Sequence, residues 1–185
     1  LMRRVWLALA TAQHQAGLVS TAQLEDLKRH VDDVDIERSA EIERETRHDV
    51  MAEILAFAEQ CPNGGNIIHL GATSADITDN VDVLRMREAI QLLITRLEKL
   101  LNSLADLIEA NAEVPVIAFT HIQPAEPTTL GYRLSVYGQD LLEDLSTLQT
   151  IEKGIRGKGL KGAVGTQAAF IEMLEETDVS AAELE

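Results

Sequence analysis

The sequence has little that could cross-link it, bend it often, or tie it to a membrane or a nucleic acid. It holds one cysteine, Cys61, so no internal disulfide can form and a disulfide-stapled scaffold is excluded. A lone thiol of this kind is expected to be buried and inert, and it favours a reducing compartment. Aromatic residues make up only 3% of the 185 positions, and 16 Lys and Arg stand against 31 Asp and Glu for a net charge of -15. Such a surface repels phosphate polyanions at long range, so no nucleic-acid partner is expected. No apolar run reaches the roughly 18 residues of a membrane span, so the chain reads as soluble, with no membrane partner. The opening LMRRVWLALATAQHQ sets two arginines before a short apolar stretch, as a signal peptide does, but Gln and His soon interrupt it.

What is there suffices for a core. The chain is 45% hydrophobic, which argues against wholesale disorder at this length. The charge is uneven: 153–161 carries Lys153, Arg156, Lys158 and Lys161 with no acid, while 172–185 carries six acids and no base. The basic stretch reads either as a solvated loop or as a site for a small polyanion.

Periodicity is helical nearly throughout. The four prolines fall at 62, 115, 124 and 127, five of the eleven glycines crowd into 154–165, and no segment alternates like a strand, so an all-α fold is expected. A first helix is predicted over 3–16, with Val5, Leu9, Ala12 and Ala16 on one face and Gly17 at its C-terminal cap. Ser20 and Gln23 form a capping-box pattern opening a helix to about residue 31. Helix is predicted again across 35–60, ending at Cys61-Pro62 and followed by a turn at 63–66.

The longest predicted helix runs from about Asp76 to about Glu113. Met86, Ile90, Leu93, Leu97, Leu100, Leu104 and Leu107 form one heptad stripe, and Ile90, Ile94, Leu97, Leu101, Leu104 and Ile108 form an overlapping second. Two stripes need two partners, which predicts a multi-helix bundle rather than a two-stranded coil. A helix of roughly 55 Å, at ~1.5 Å per residue, is long for a compact domain of this chain length, so other subunits are expected among its partners. Pro127 is read as the first turn of a further helix to about residue 152, with Leu130, Leu134, Tyr137, Leu141, Leu145 and Leu148 inward.

Four stretches do not read as packing: Thr46-Arg47-His48-Asp49, His69 to Asp76, Thr120 to Ala125, and Gly157 to Gln167. His48, His69 and His121 lie in them, and histidine flanked by Thr, Ser, Gly or Pro at helix boundaries is a candidate for proton transfer. Thr73 and Ser74 precede the long helix, where hydroxyls and N–H groups either bind an anion or cap the helix. Gly157 to Gly162 spells GxGxxG, but a Rossmann fingerprint needs a strand before it, and a Walker A loop needs a glycine where Glu152 stands. No HExxH, CxxC or EF-hand pattern occurs, so no metal and no cofactor is expected.

At these stretches the chain resembles the adenylosuccinate lyases of the fumarase/aspartase superfamily. TRHDVMAEI (46–54), IIHLGATSADITDN (67–80), FTHIQPAEPTTLG (119–131) and GKGLKGAVGTQAAF (157–170) match in order and spacing, and WLALATAQ (6–13) is similar to the family's first-domain helix. The resemblance implies a first helical domain over 1–75 and the first part of a central helical bundle over 76–185. It implies a carbon-nitrogen lyase that eliminates fumarate from adenylosuccinate, leaving AMP, and from the succinyl-carboxamide ribotide of purine biosynthesis, in the cytoplasm and as a homotetramer. His121 would be the general acid. Arg47, His48, Asp49, Thr73, Ser74 and Gln167 would bind the nucleotide substrate, with Lys158 and Lys161 adding positive potential. The sequence stops short of the family's mobile signature loop, which carries the base, and so reads as a fragment expected to be inactive alone. The alternatives are a non-catalytic helical assembly protein, or a related lyase or cycloisomerase acting on another dicarboxylate.

Overall fold

The computed structural model describes residues 1–175 and 177; the acidic segment noted above lies mostly outside them. Their contacts divide them into two compact units, Leu1–Leu84 with the residues from Gly157 on, and Arg85–Arg156. Seven α-helices and one two-stranded hairpin make up the described residues, so the all-α expectation holds with one local exception.

The first unit begins with α1 (Met2–Gln15), which ends at Ala16 and is followed by Gly17 at φ +81°. Helix α2 (Thr21–His30) opens on the expected capping box, with Ser20 accepting from the Gln23 N–H and Gln23 reaching back to Ser20 N. The predicted 35–60 helix is two helices, α3 (Ile36–Thr46) and α4 (Asp49–Gln60). The break is at Arg47, which takes a left-handed conformation, φ 56° and ψ 30°. No Gly or Pro marks the spot, which is why periodicity ran through it. A short 3-10 turn, Gly65–Ile67, then leads toward α5 (Ser74–Ala110).

The core of this unit gathers Trp6, Leu24, Leu27, Val50, Phe57, Cys61, Ile77 and Val81 from four helices and the loop between them. Within it lies an arginine that hydrophobic patterning does not predict. Arg3 is 2% exposed; it donates to Glu53 (2.6 Å), to Gln60 (2.7 Å) and to the carbonyls of His30 and Asp33, and its guanidinium stands 4.5 Å from the Phe57 ring centre. Buried charge is tolerated there because it is paired and hydrogen-bonded. Helix α7 (Ala168–Leu174), absent from the sequence reading, packs Phe170 and Leu174 with Leu9 and Ala16.

The second unit contains the rest of α5, the hairpin of β1 (Pro115–Thr120) and β2 (Gln123–Thr129), and α6 (Leu130–Gly154). Pro127 lies in β2 opposite Ile117, not in a helix; α6 starts three residues later, capped by Thr129, whose hydroxyl accepts from Tyr132 N. Pro115, Pro124 and Pro127 all fall in this ribbon, where each strand is an edge and a missing N–H is tolerated.

Helices α5 and α6 run antiparallel, joined at one end by Gly131 N to Asn111 O (2.9 Å) and at the other by Gln91 to Glu152 (2.9 Å). The approach is close at Gly131, where an added Cβ would stand 2.6 Å from the Ile108 carbonyl. The two heptad stripes have different fates. Ile90, Ile94, Leu97, Leu101, Leu104 and Ile108 are half-buried, whereas Met86, Leu93, Leu100 and Leu107 are each more than 50% exposed. Tyr137, expected inward, is 64% exposed; Gly138 beside it is the buried residue, where an added Cβ would meet the Leu104 and Ile108 side chains at ordinary contact distance.

Candidate active site

The first turn of α5 organises the first unit's polar residues. Asp76 is 4% exposed, and its carboxylate accepts from Thr73 N (3.0 Å), Lys161 N (2.8 Å) and Gly162 N (3.1 Å). One turn on, Asn80 donates to the Gly159 carbonyl (3.0 Å) and accepts from Lys158 N (2.8 Å). These two side chains fasten the basic Gly-rich loop to the helix through backbone groups, which explains its composition without any nucleotide fingerprint. Lys158 also ion-pairs with Asp79, and that hydrogen bond holds the Asp79 carboxyl below the usual range. Gln167, at φ 58°, donates its side-chain amide to Leu160 O (3.1 Å) and its N–H to Lys161 O (2.9 Å).

The α3–α4 junction meets the same helix start. The left-handed turn at Arg47 releases His48 to cap α4, and His48 Nδ1 accepts from Met51 N (3.3 Å). A ring that accepts at Nδ1 carries its proton on Nε2, and Nε2 stands 3.4 Å from the Ser74 hydroxyl. Arg47, His48 and Asp49 are exposed, Thr73 and Ser74 half-buried. The N-terminus of a 37-residue helix with two hydroxyls in its approach, one of them 3.4 Å from an imidazole N–H, is suited to an anionic group.

His69 lies behind this surface at φ 70°. Its Nδ1 accepts a hydrogen bond from the Trp6 indole N–H (3.0 Å), with the two rings edge to face at 6.1 Å. Burial pushes its imidazole below the usual histidine range, against the pull of Asp76 and with a smaller push from His48.

His121 belongs to the second unit. Thr120 pairs with Gln123, leaving His121 and Ile122 as the two turn residues, both left-handed at φ 49° and φ 62°. This is the geometry of a type I′ hairpin turn, which ordinarily selects Asn and Gly. A histidine followed by a β-branched residue costs of order 1–2 kcal/mol per position there. Strain of this kind concentrates at functional sites, and Arg47, His121 and Gln167, all named from sequence, are among the five non-glycine residues at positive φ within the described residues.

Of the expected site residues, the first unit joins His48 and Ser74 directly, with Arg47 and Asp49 next to the one in sequence and Thr73 next to the other; Gln167 ends the Gly-rich loop, bonded to Leu160 and Lys161. The sequence assigns no part to Trp6 or Asn80 and gives Asp76 as the approximate start of the long helix. The signal for Asp76 was its carboxylate three residues into a helix that starts after Thr73. No local signal marked Trp6, whose partner is sixty-three positions away. Among the described residues no group of three or more His, Cys, Asp or Glu could hold a metal ion.

The sequence matches the protein family described as Lyase over residues 3–185. It is similar to the adenylosuccinate lyase of Saccharomyces cerevisiae, 40% identical over 91% of this chain and 36% of that protein. It is similar also to the adenylosuccinate lyase of Schistosoma mansoni, 38% identical over 95% of this chain and 37% of that protein. The chain thus spans well under half the length of these relatives. Among solved structures it resembles a fumarate lyase from Mesorhizobium sp. BNC1, with a TM-score of 0.85 and 23% identity over 99% of this chain and 43% of that one. A 3-carboxy-cis,cis-muconate lactonizing enzyme from Pseudomonas putida gives 0.81 and 26%, with the same coverage.

Proposed function

The chain belongs to the Lyase family, and on that premise we propose that the whole protein carrying it is an adenylosuccinate lyase, a carbon-nitrogen lyase that releases fumarate from adenylosuccinate and leaves AMP. The observation that carries the reading is the meeting of the Arg47-His48-Asp49 turn with Thr73 and Ser74 at the start of α5, marked by the His48–Ser74 contact of 3.4 Å. It is a surface built for a substrate that is anionic at more than one point, as a succinyl nucleotide is. The names and identities of the relatives supply the choice of that substrate. By the same reading the related succinyl-carboxamide ribotide of purine biosynthesis is a second substrate, and the protein works in the cytoplasm.

The chemistry divides as follows. A base takes the proton from the carbon beside a carboxylate, the carbon-nitrogen bond breaks, and an acid protonates the departing nitrogen. His121 is that acid: it stands exposed at the tip of a strained turn. Arg47 and the N–H on His48 Nε2 pair with anionic oxygens, Asp49 orients the turn, and the Thr73 and Ser74 hydroxyls hold a carboxylate or phosphate at the positive end of α5. Gln167 supplies a side-chain amide contact at the end of the Gly-rich loop, where it also donates to Leu160 O. Charge building on the carboxylate as the proton leaves is stabilised by these donors, which is where such sites gain most of their rate. No base is assigned among these residues.

The proposal includes self-association into a homotetramer. Met86, Leu93, Leu100 and Leu107 form a continuous exposed apolar stripe on α5, and stripes of that kind are covered in a working assembly.

A substrate panel tests the reading. The whole protein is expected to release fumarate and AMP from adenylosuccinate and to leave argininosuccinate and carboxymuconate untouched. Turnover of one of the latter alone would move the protein to another branch of the same fold.

A further inference from the structure

His69 and Trp6 form a pair that the function proposed above does not use. Trp6 is 1% exposed on α1 and is the only tryptophan of the sequence. An indole N–H can only donate, so at 3.0 Å from His69 Nδ1 it obliges that nitrogen to present its lone pair. The neutral ring must then carry its proton on Nε2, and among the described residues no protein group accepts from Nε2.

We infer that Trp6 is a positioning residue: its indole N–H locks His69 as the neutral Nε2–H tautomer, so that His69 faces a ligand as a fixed hydrogen-bond donor and not as a proton-transfer group. The geometry gives three reasons. The left-handed backbone at His69, φ 70°, is strained for a residue with a Cβ and persists where surroundings over-determine it. The ring is held by its edge-to-face packing on a buried indole as well as by the hydrogen bond. Protonation would place an N–H against an N–H and break that bond.

The charged and titratable groups around the ring are few. Asp76, from the start of α5, favours the protonated ring; His48, from the α4 cap, opposes it; burial opposes it more strongly than either acts, and the net result is a ring that stays neutral below the usual range. Trp6, from α1, adds no charge. What His69 donates to, an oxygen of an anionic substrate, rests on the lyase reading. The lock itself does not.

The test reads the tautomer directly. In the chain labelled with 15N at its histidines, His69 is expected to show a pyridine-like Nδ1 and a pyrrole-like Nε2 at neutral pH. Trp6→Phe keeps the aromatic volume and removes the donor. It should turn His69 into a mixture of tautomers and shift its titration midpoint upward, with the far-ultraviolet spectrum unchanged. An unaltered tautomer in Trp6→Phe, or a pyrrole-like Nδ1 in the native chain, would overturn the lock. If Trp6→Phe does not fold, the native protein still decides, because Trp6 emission should fall in one step as pH drops through the His69 midpoint, imidazolium being an indole quencher. An emission flat through the pH range in which the 15N signals show His69 taking its proton would overturn it too. Neither readout involves turnover, so the lyase assignment and the lock fail separately.

Discussion

The carboxylate of Asp76 reaches the backbone N–H of Gly162 with both oxygens, at 3.2 and 3.1 Å, across eighty-six positions of sequence. This one relationship ties the start of the longest helix to a loop that by composition alone would be free. Three backbone N–H groups depend on it, counting Thr73 and Lys161. Asp76→Ala should therefore destabilise the first unit by about 2–4 kcal/mol, given ~1–3 kcal/mol for each buried group left unsatisfied and some relief from water. Denaturant unfolding measures the loss, and trypsin should cut faster at Lys158 and Lys161. Unchanged cleavage would mean that Asn80 holds the loop alone.

The turn at His121 and Ile122 invites the opposite kind of change. Ile122 is 92% exposed and left-handed, so Ile122→Gly loses almost no packing and removes the steric cost. A gain of about 1 kcal/mol in local stability is expected, read as slower amide exchange in β1 and β2. Faster exchange would show that the isoleucine side chain holds the turn.

Cys61 is 1% exposed, and burial, with a further push from Asp26, raises its thiol to about 11. Only the thiolate is nucleophilic. The folded chain is expected to resist Ellman's reagent at pH 8 and to react at once in denaturant; immediate reaction of the folded chain would contradict the buried placement.

Acid should loosen the α2 end of the first unit. For Asp26, burial raises the carboxyl, but the N–H groups of Asn63 (2.7 Å) and Gly64 (3.0 Å), together with Arg29, outweigh it and leave the group below its ordinary range. The unfolded chain then binds a proton more readily than the folded one. The contribution is complete above the unfolded value of about 3.9 and disappears as pH falls through the lower folded value. Asp26→Asn should be less stable at pH 7 and show a shallower acid limb; an identical limb in both would assign acid sensitivity to other carboxylates.

Much of this was legible in the residues. The capping box at Ser20 and Gln23, the long α5, and the segments that gather at its start carry local signatures: hydroxyl and amide at fixed spacing, leucines at heptad spacing, histidines among glycine and threonine. The double stripe on α5 was legible as well, and the structure divides it into a half covered by α6 and a half left exposed. What escaped depended on conformations that side chains do not announce. Arg47 ends α3 by a left-handed turn with no glycine. His121 and Ile122 form a hairpin turn without Asn or Gly, so neither strand was seen and Pro127 was mistaken for a helix start. Arg3 and the Trp6–His69 pair are settled by contacts between distant elements, which no window along the chain contains.

The central claim is that His121 protonates the leaving nitrogen in a lyase reaction on adenylosuccinate. It is tested most directly by fumarate release from adenylosuccinate, followed in the ultraviolet, for the whole protein with His121 and with His121→Ala. The account predicts a fall in kcat of about 10²–10⁴, the range for a general acid, with nucleotide binding retained. Equal turnover by the two proteins would contradict it.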